Sequence, residues 1–206
     1  MKRFIAFTLA EVLVTLGIIG VVSAMTIPTL MRNHQKQVYV VQLKKAYSVL
    51  AQGLQYAIDK DNAISLSESK AFDNGAKGFI SSNFKTAQVC DQADAPNCMA
   101  EKYRNLYGEE QEIIFDDGDF TCGALADGIT FCIKPQFPDS SPVYVDINGK
   151  EGPNVLGRDL FLLVAKNSGD LVGSREDEDG YFYEDTGSAY GVFFSRILRD
   201  GWKMDY

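Results

Sequence analysis

One carboxylate sits where charge is most expensive. The stretch FTLAEVLVTLGIIGVVSAMTIP, residues 7–28, is as apolar as a membrane span, and Glu11 is its only ionisable side chain. A lone charge at the centre of such a segment costs roughly 2.5–3.5 kcal/mol on insertion scales. It therefore needs either a cation beside it or a position close enough to the interface to reach water. Four cysteines, Cys90, Cys98, Cys122 and Cys132, all lie downstream. An even number beyond an export-type segment points to disulfides in an oxidising compartment. Their spacings contain no CxxC pair of the kind that builds a zinc site. Asp146, Asn148, Asn154 and Asp159 offer the hard oxygens that calcium takes. The Asp-x-Asn-Gly run is also ordinary turn chemistry, and no acidic residue holds the closing position of an EF-hand. A second acidic run, REDEDGYFYED at residues 175–185, carries oxygens too, although such runs are commonly solvated loops. The sole histidine, His34, stands alone just past the apolar stretch, with no nucleophile in its neighbourhood to activate. No Walker loop, GxSxG or HExxH occurs, and nothing around the 175–185 acids implies the cleft a glycosidase dyad needs. The inventory points away from an enzyme.

Composition agrees with a tethered or exported chain. There are 206 residues, 46% of them hydrophobic, with a formal charge of −8. That length suits one compact domain beside a membrane segment. The acidic balance argues against nucleic acid as the main partner, because a phosphate backbone wants Lys and Arg.

Three readings fit the N-terminus. Met1-Lys2-Arg3 is a short basic head, and the apolar run that follows exceeds the roughly 20 residues needed to cross a hydrocarbon core. A plain anchor is one reading, with Lys2 and Arg3 holding the start on the cytoplasmic side. A secretory signal peptide is another: Val22-Ser23-Ala24 presents small residues where a signal peptidase looks, and cleavage near Ala24 would free a secreted binding module starting at Met25. That reading leaves Glu11 in the apolar region unexplained.

The third reading is a resemblance. A|FTLAEVLVTLGII is similar to the cleavage and methylation site of type IV pilins and of the pseudopilins of type II secretion. In that family a short basic leader is cut off just before a Phe, the new amine is methylated, and the fifth mature residue is Glu. Here the cut would fall between Ala6 and Phe7, and the fifth residue is Glu11. The family's helix-bending proline at the twenty-second mature position corresponds to Pro28. Ala6 stands before the cut where the family nearly always has Gly. The motif covers about the first thirty residues. It implies a structural subunit of a filament, held in the bacterial inner membrane by one helix, with the rest of the chain in the periplasm or outside. It also implies as partners a prepilin peptidase, an inner-membrane assembly platform, membrane lipid and other pilin-like subunits. Glu11 of an incoming subunit would pair with the Phe7 amine of a neighbour. Some pseudopilins bind calcium in C-terminal loops, which gives the Asp146–Asp159 oxygens a second motive. The choice among pilus, secretion pseudopilus and DNA-uptake filament stays open; the size of the downstream domain leans towards a minor or pseudopilin-type subunit.

The elements that position these residues follow from periodicity. In QKQVYVVQLKKAYSVLAQGLQYAID, residues 35–59, apolar side chains recur at Val38, Val41, Leu43, Ala46, Val49, Leu50, Leu54, Ala57 and Ile58, near the helical period. The expected fold is α+β: a long N-terminal helical spine, its first half transmembrane, packed on a small antiparallel sheet. The segments are a leader (1–6), the membrane half of the helix (7–31), its amphipathic continuation (32–60) and an α+β head (61–206). Pro28 should bend or locally melt the helix, and Gly17 and Gly20 permit close helix approach. Short helices are expected over residues 71–84 and 99–107, the latter stopped by Gly108. DFTCGALADGITFCIKP reads as a hairpin with Gly128 in the left-handed turn position. Leu125 then faces Ile129 and Cys122 faces Cys132 at a non-hydrogen-bonded site, with Cα atoms about 4.5 Å apart. That register selects Cys122–Cys132 and leaves Cys90–Cys98. Strands are expected over residues 142–147 and 158–165. The closing ILRDGWKMDY is expected to add an edge element with Trp202 on the sheet; residues 188–198 suit a helix or a strand.

Overall fold

The computed structural model describes residues 8–91, 94–111, 120–173 and 192–206. The chain divides into two compact units, Met1–Val38 and Tyr39–Tyr206. Ala6 and Phe7, the leader, the acidic run 175–185 and the start of the 188–198 segment lie outside the described residues.

Helix α1 covers Leu9–Lys60. It is long and apolar enough to cross a membrane, and none of its most apolar eighteen-residue window is buried. Leu13, Leu16, Ile19, Met25 and Leu30 are all exposed. Of the two expectations at Pro28, a bend or local melting, melting does not occur: the helix runs through it. A proline deletes one backbone donor, and the other turns of a 52-residue helix still hold.

The second unit is α+β, as expected. Six antiparallel strands form its sheet in the order β1-β4-β5-β6-β7-β8. They are β1 (Thr86–Cys90), β4 (Thr121–Leu125), β5 (Thr130–Ile133), β6 (Ser141–Asp146), β7 (Leu160–Ala165) and β8 (Leu171–Gly173). A two-stranded ribbon, β2 (Tyr103–Arg104) with β3 (Glu110–Gln111), stands apart from it. Among the described residues the unit also contains helices α2 (Gly75–Asn83), α3 (Ala95–Cys98) and α4 (Val192–Arg199).

The strands bury both faces, and the two-residue period sorts them. Phe131, Ile133, Val143, Val145, Phe161 and Leu163 point to one core. The α1 stripe Val40, Leu43, Ala46, Leu50, Leu54, Ala57 and Ile58 joins that core, with Phe79 and Ile80 of α2 and Phe194 and Ile197 of α4. The intervening residues Cys122, Cys132 and Leu160 belong to a second cluster with Cys90, Cys98, Met99, Tyr103, Phe120 and Leu156. The sheet is therefore a wall between two cores.

Several expectations change. Val38 and Val41 are 40% and 65% exposed, while Val40 is 7% exposed. The stripe through Leu43 and Leu50 extrapolates three residues back to Val40. Residues 99–107 are not a helix; Met99 and Tyr103 turn into the second core, and Asn105 begins a turn. Its Oδ1 accepts the N–H groups of Tyr107 and Glu109. The 71–84 segment is a 3-10 turn, Lys70–Phe72, followed by α2. Of the two readings of residues 188–198 the described part takes the helical one, α4, and residues 200–206 after it add no edge strand. Trp202 packs on Tyr47 of α1 and Phe194 of α4, under the Lys44 ammonium.

Candidate functional site

The isolated carboxylate has a local role. The backbone N–H and hydroxyl of Thr8 both donate to Glu11 Oε2 at 2.9 Å. The Glu11 N–H donates back to Thr8 Oγ1 at 3.3 Å. This reciprocal pattern is a capping box, which satisfies orphan donors at a helix start and sets a negative charge at the positive end of the helix dipole. The Thr8-x-x-Glu11 spacing that encodes it is legible in sequence. The capping bonds need no second chain, and they leave one carboxylate oxygen, Oε1, without a bond among those to Thr8.

The cysteines pair as the hairpin register predicts. Cys122 is opposite Cys132, with Cα atoms 3.9 Å apart, and the two are bonded. Gly128 takes φ 91° at the turn, and Leu125 N–H donates to Ile129 O at 2.8 Å. Cys90 and Cys98 form the second bridge.

The expected oxygen cluster is a closed loop rather than a cage. Asp146 ends β6 and Asp159 precedes β7; both are fully buried. Asp146 Oδ2 accepts the Tyr103 hydroxyl at 2.7 Å, and its Oδ1 accepts the Asn148 N–H at 3.1 Å. Asn154, at φ 55°, turns successive N–H groups inward. Asp159 fills that nest, Oδ2 accepting from Asn154 at 2.7 Å and Oδ1 from Val155 at 2.6 Å. The Asn148 side chain donates to the carbonyls of Glu151 and Gly152. The loop is also stitched to β2, since Arg104 N–H donates to Asn154 O and Leu156 N–H to Arg104 O. From outside, Tyr206 donates its hydroxyl to Gly157 O at 2.6 Å and the Phe193 ring covers Gly157.

Burial pushes the Asp146 carboxyl up to about 8, against the opposing pull of the Tyr103 hydroxyl and with added repulsion from Asp159. Burial also raises Asp159, opposed by the backbone donors of Val155 and Asn154. Tyr103 is raised by burial and by the neighbouring carboxylates.

Two features bear on calcium. The Oδ1 atoms of Asn148 and Asn154 are buried without a hydrogen-bond partner, which favours a cation. However, calcium takes six to eight oxygens. Each oxygen of both carboxylates already accepts a bond from the protein, and no group of three or more His, Cys, Asp or Glu converges among the described residues. The set falls short of a calcium cage. His34 is exposed on α1, away from any such group.

One open groove of about 520 Å³ lies in the second unit, lined by Val49, Gly53 and Tyr56 of α1, by Phe84, and by Leu125 and Asp127 at the β4–β5 turn. The Phe84 ring lies over Gly53, and Lys45 pairs with Asp127 beside the groove. No family model, curated protein or solved structure matches this chain.

Proposed function

We propose that this chain is a structural subunit of a pilin-like filament, of the type IV pilus or type II secretion kind, and more specifically a minor or pseudopilin-type component. The observation that carries the reading is the exposed apolar first half of the helix from Leu9, in which the only carboxylate, Glu11, lies in the first turn, four residues after Phe7. A surface of this kind is unstable in water and is satisfied by lipid before assembly or by neighbouring helices afterwards. A prepilin peptidase removes residues 1–6 and the Phe7 amine is methylated. The chain then sits in the inner membrane with residues 39–206 outside the cytoplasm, where the two disulfides form. On assembly, Glu11 exchanges solvation near the interface for the Phe7 amine of a neighbouring subunit. The sheet unit supplies the filament's outer surface and its contacts with an assembly platform. No catalytic step is assigned to it.

N-terminal sequencing of membrane-extracted protein tests the proposal. A first residue at Phe7, carrying a methylated amine, is expected. A first residue at Met25 in freely soluble protein refutes it and establishes the secreted module instead.

A further inference from the structure

The two disulfides are adjacent in a specific order. Cys90 of β1 is the register partner of Cys122 of β4, and Cys122 is the register partner of Cys132 of β5. Side chains at paired positions share a face of the sheet, and neighbouring strands lie about 4.8 Å apart. Three cysteines therefore form a row across three strands, all within one buried cluster. Cys98 reaches Cys90 from α3, at the β1 edge of the sheet. Disulfide exchange is the attack of a thiolate on a disulfide sulfur, along the axis of the bond that breaks. Cys90 stands on the side of Cys122 opposite to Cys132, which is the side from which such an attack arrives.

We propose that Cys90 is a built-in alternative partner of Cys122, so that the sheet carries an internal disulfide relay. A dithiol reductant reduces Cys90–Cys98, giving two thiols while the reductant becomes its own disulfide. Cys90 then loses its proton, and its thiolate attacks Cys122 Sγ. The Cys90–Cys122 bond forms, the Cys122–Cys132 bond breaks, and the Cys132 thiolate takes up a proton. The second step involves no net oxidation. Its effect is structural: the crosslink leaves the β4–β5 hairpin, whose turn holds it in any case, and staples the edge strand β1 to β4. The sheet thus keeps its edge when the 91–98 loop is opened.

The test uses the full chain in detergent. Cys98→Ser leaves Cys90 free beside an intact Cys122–Cys132 bridge, so no reductant is needed. After equilibration at about pH 9, above the ordinary thiol value of about 8.5 because burial disfavours the Cys90 thiolate, the protein is acid-quenched, unfolded and labelled with a maleimide. Peptide mapping should find a Cys90–Cys122 bridge and labelled Cys132 in at least a tenth of the molecules. Cys90→Ser, which frees Cys98 instead, should leave Cys132 at least tenfold less labelled. Quantitative labelling of Cys90 alone in Cys98→Ser overturns the proposal, as does equal labelling of Cys132 in both variants. If Cys98→Ser does not fold, judged by Trp202 emission, wild type under limiting dithiothreitol gives the same readout. Labelled Cys98 with Cys132 supports the relay; labelled Cys98 with Cys90 only refutes it.

Discussion

Asp146→Asn should make the protein less sensitive to alkali. The wild-type carboxyl is fully buried, and burial raises it to about 8 from an ordinary 3.8. Below that lower value it is protonated whether or not the chain is folded. Between the two values only the folded form holds the proton, so the stability it contributes is present at low pH and is lost as pH rises towards 8. One proton of difference gives a slope of about 1.4 kcal/mol per pH unit. From pH 5 to pH 7 the wild type should therefore lose about 3 kcal/mol relative to the variant. Asparagine is a neutral isostere of the protonated acid, and its oxygen can still accept the Tyr103 hydroxyl. Asp159 sharpens the effect, because its repulsion of Asp146 disappears in the variant. Trp202, the only tryptophan, sits between Tyr47 and Phe194 and reports on the folded second unit. Urea unfolding of both proteins in detergent, followed by its emission at a series of pH values, measures the difference. A stability difference that stays flat from pH 5 to pH 8 would show that the pocket does not hold a proton, and the reasoning fails.

Three other outcomes are expected. Glu11→Gln should insert and be processed like wild type but assemble poorly, measured by pelleting sheared filaments; equal filament yield would remove the amine-pairing idea. Gly173→Ala should destabilise the second unit by about 1–3 kcal/mol through overpacking, because an added Cβ would fall on Ser195 Oγ and lie 3.0 Å from the Ser195 Cα; an unchanged urea midpoint would contradict the close packing of β8 on α4. Millimolar calcium should leave the melting temperature unchanged, since the Asp146–Asp159 loop closes on itself; a rise that Asp146→Asn abolishes would make Asp146 a calcium ligand instead.

What the sequence alone determined is what short-range rules control. A run of apolar residues dictates a membrane-length helix, because backbone groups in lipid must bond within their own segment. The hairpin followed from Gly128 and strand alternation, and with it the Cys122–Cys132 bridge, because a register set by a turn places opposing residues without reference to the rest of the chain. The 3.6-residue period located most of the α1 stripe, from Leu43 to Ile58. It failed at the N-terminal end of the stripe, where three valines at 38, 40 and 41 offer several equivalent faces and only the sheet decides that Val40 is buried. The helix expected over residues 99–107 did not form, because Met99 and Tyr103 are buried in the second core, an environment set by the rest of the fold and not by local pattern. The buried state of Asp146 and Asp159 belongs to the tertiary structure outright. A surface turn and a sealed polar network share the same Asp-x-Asn-Gly letters, and the difference is made by Tyr103, which meets Asp146 across 43 residues of chain. The row of three cysteines is likewise a product of the sheet, since β1 reaches β4 by a non-local pairing that no local pattern encodes.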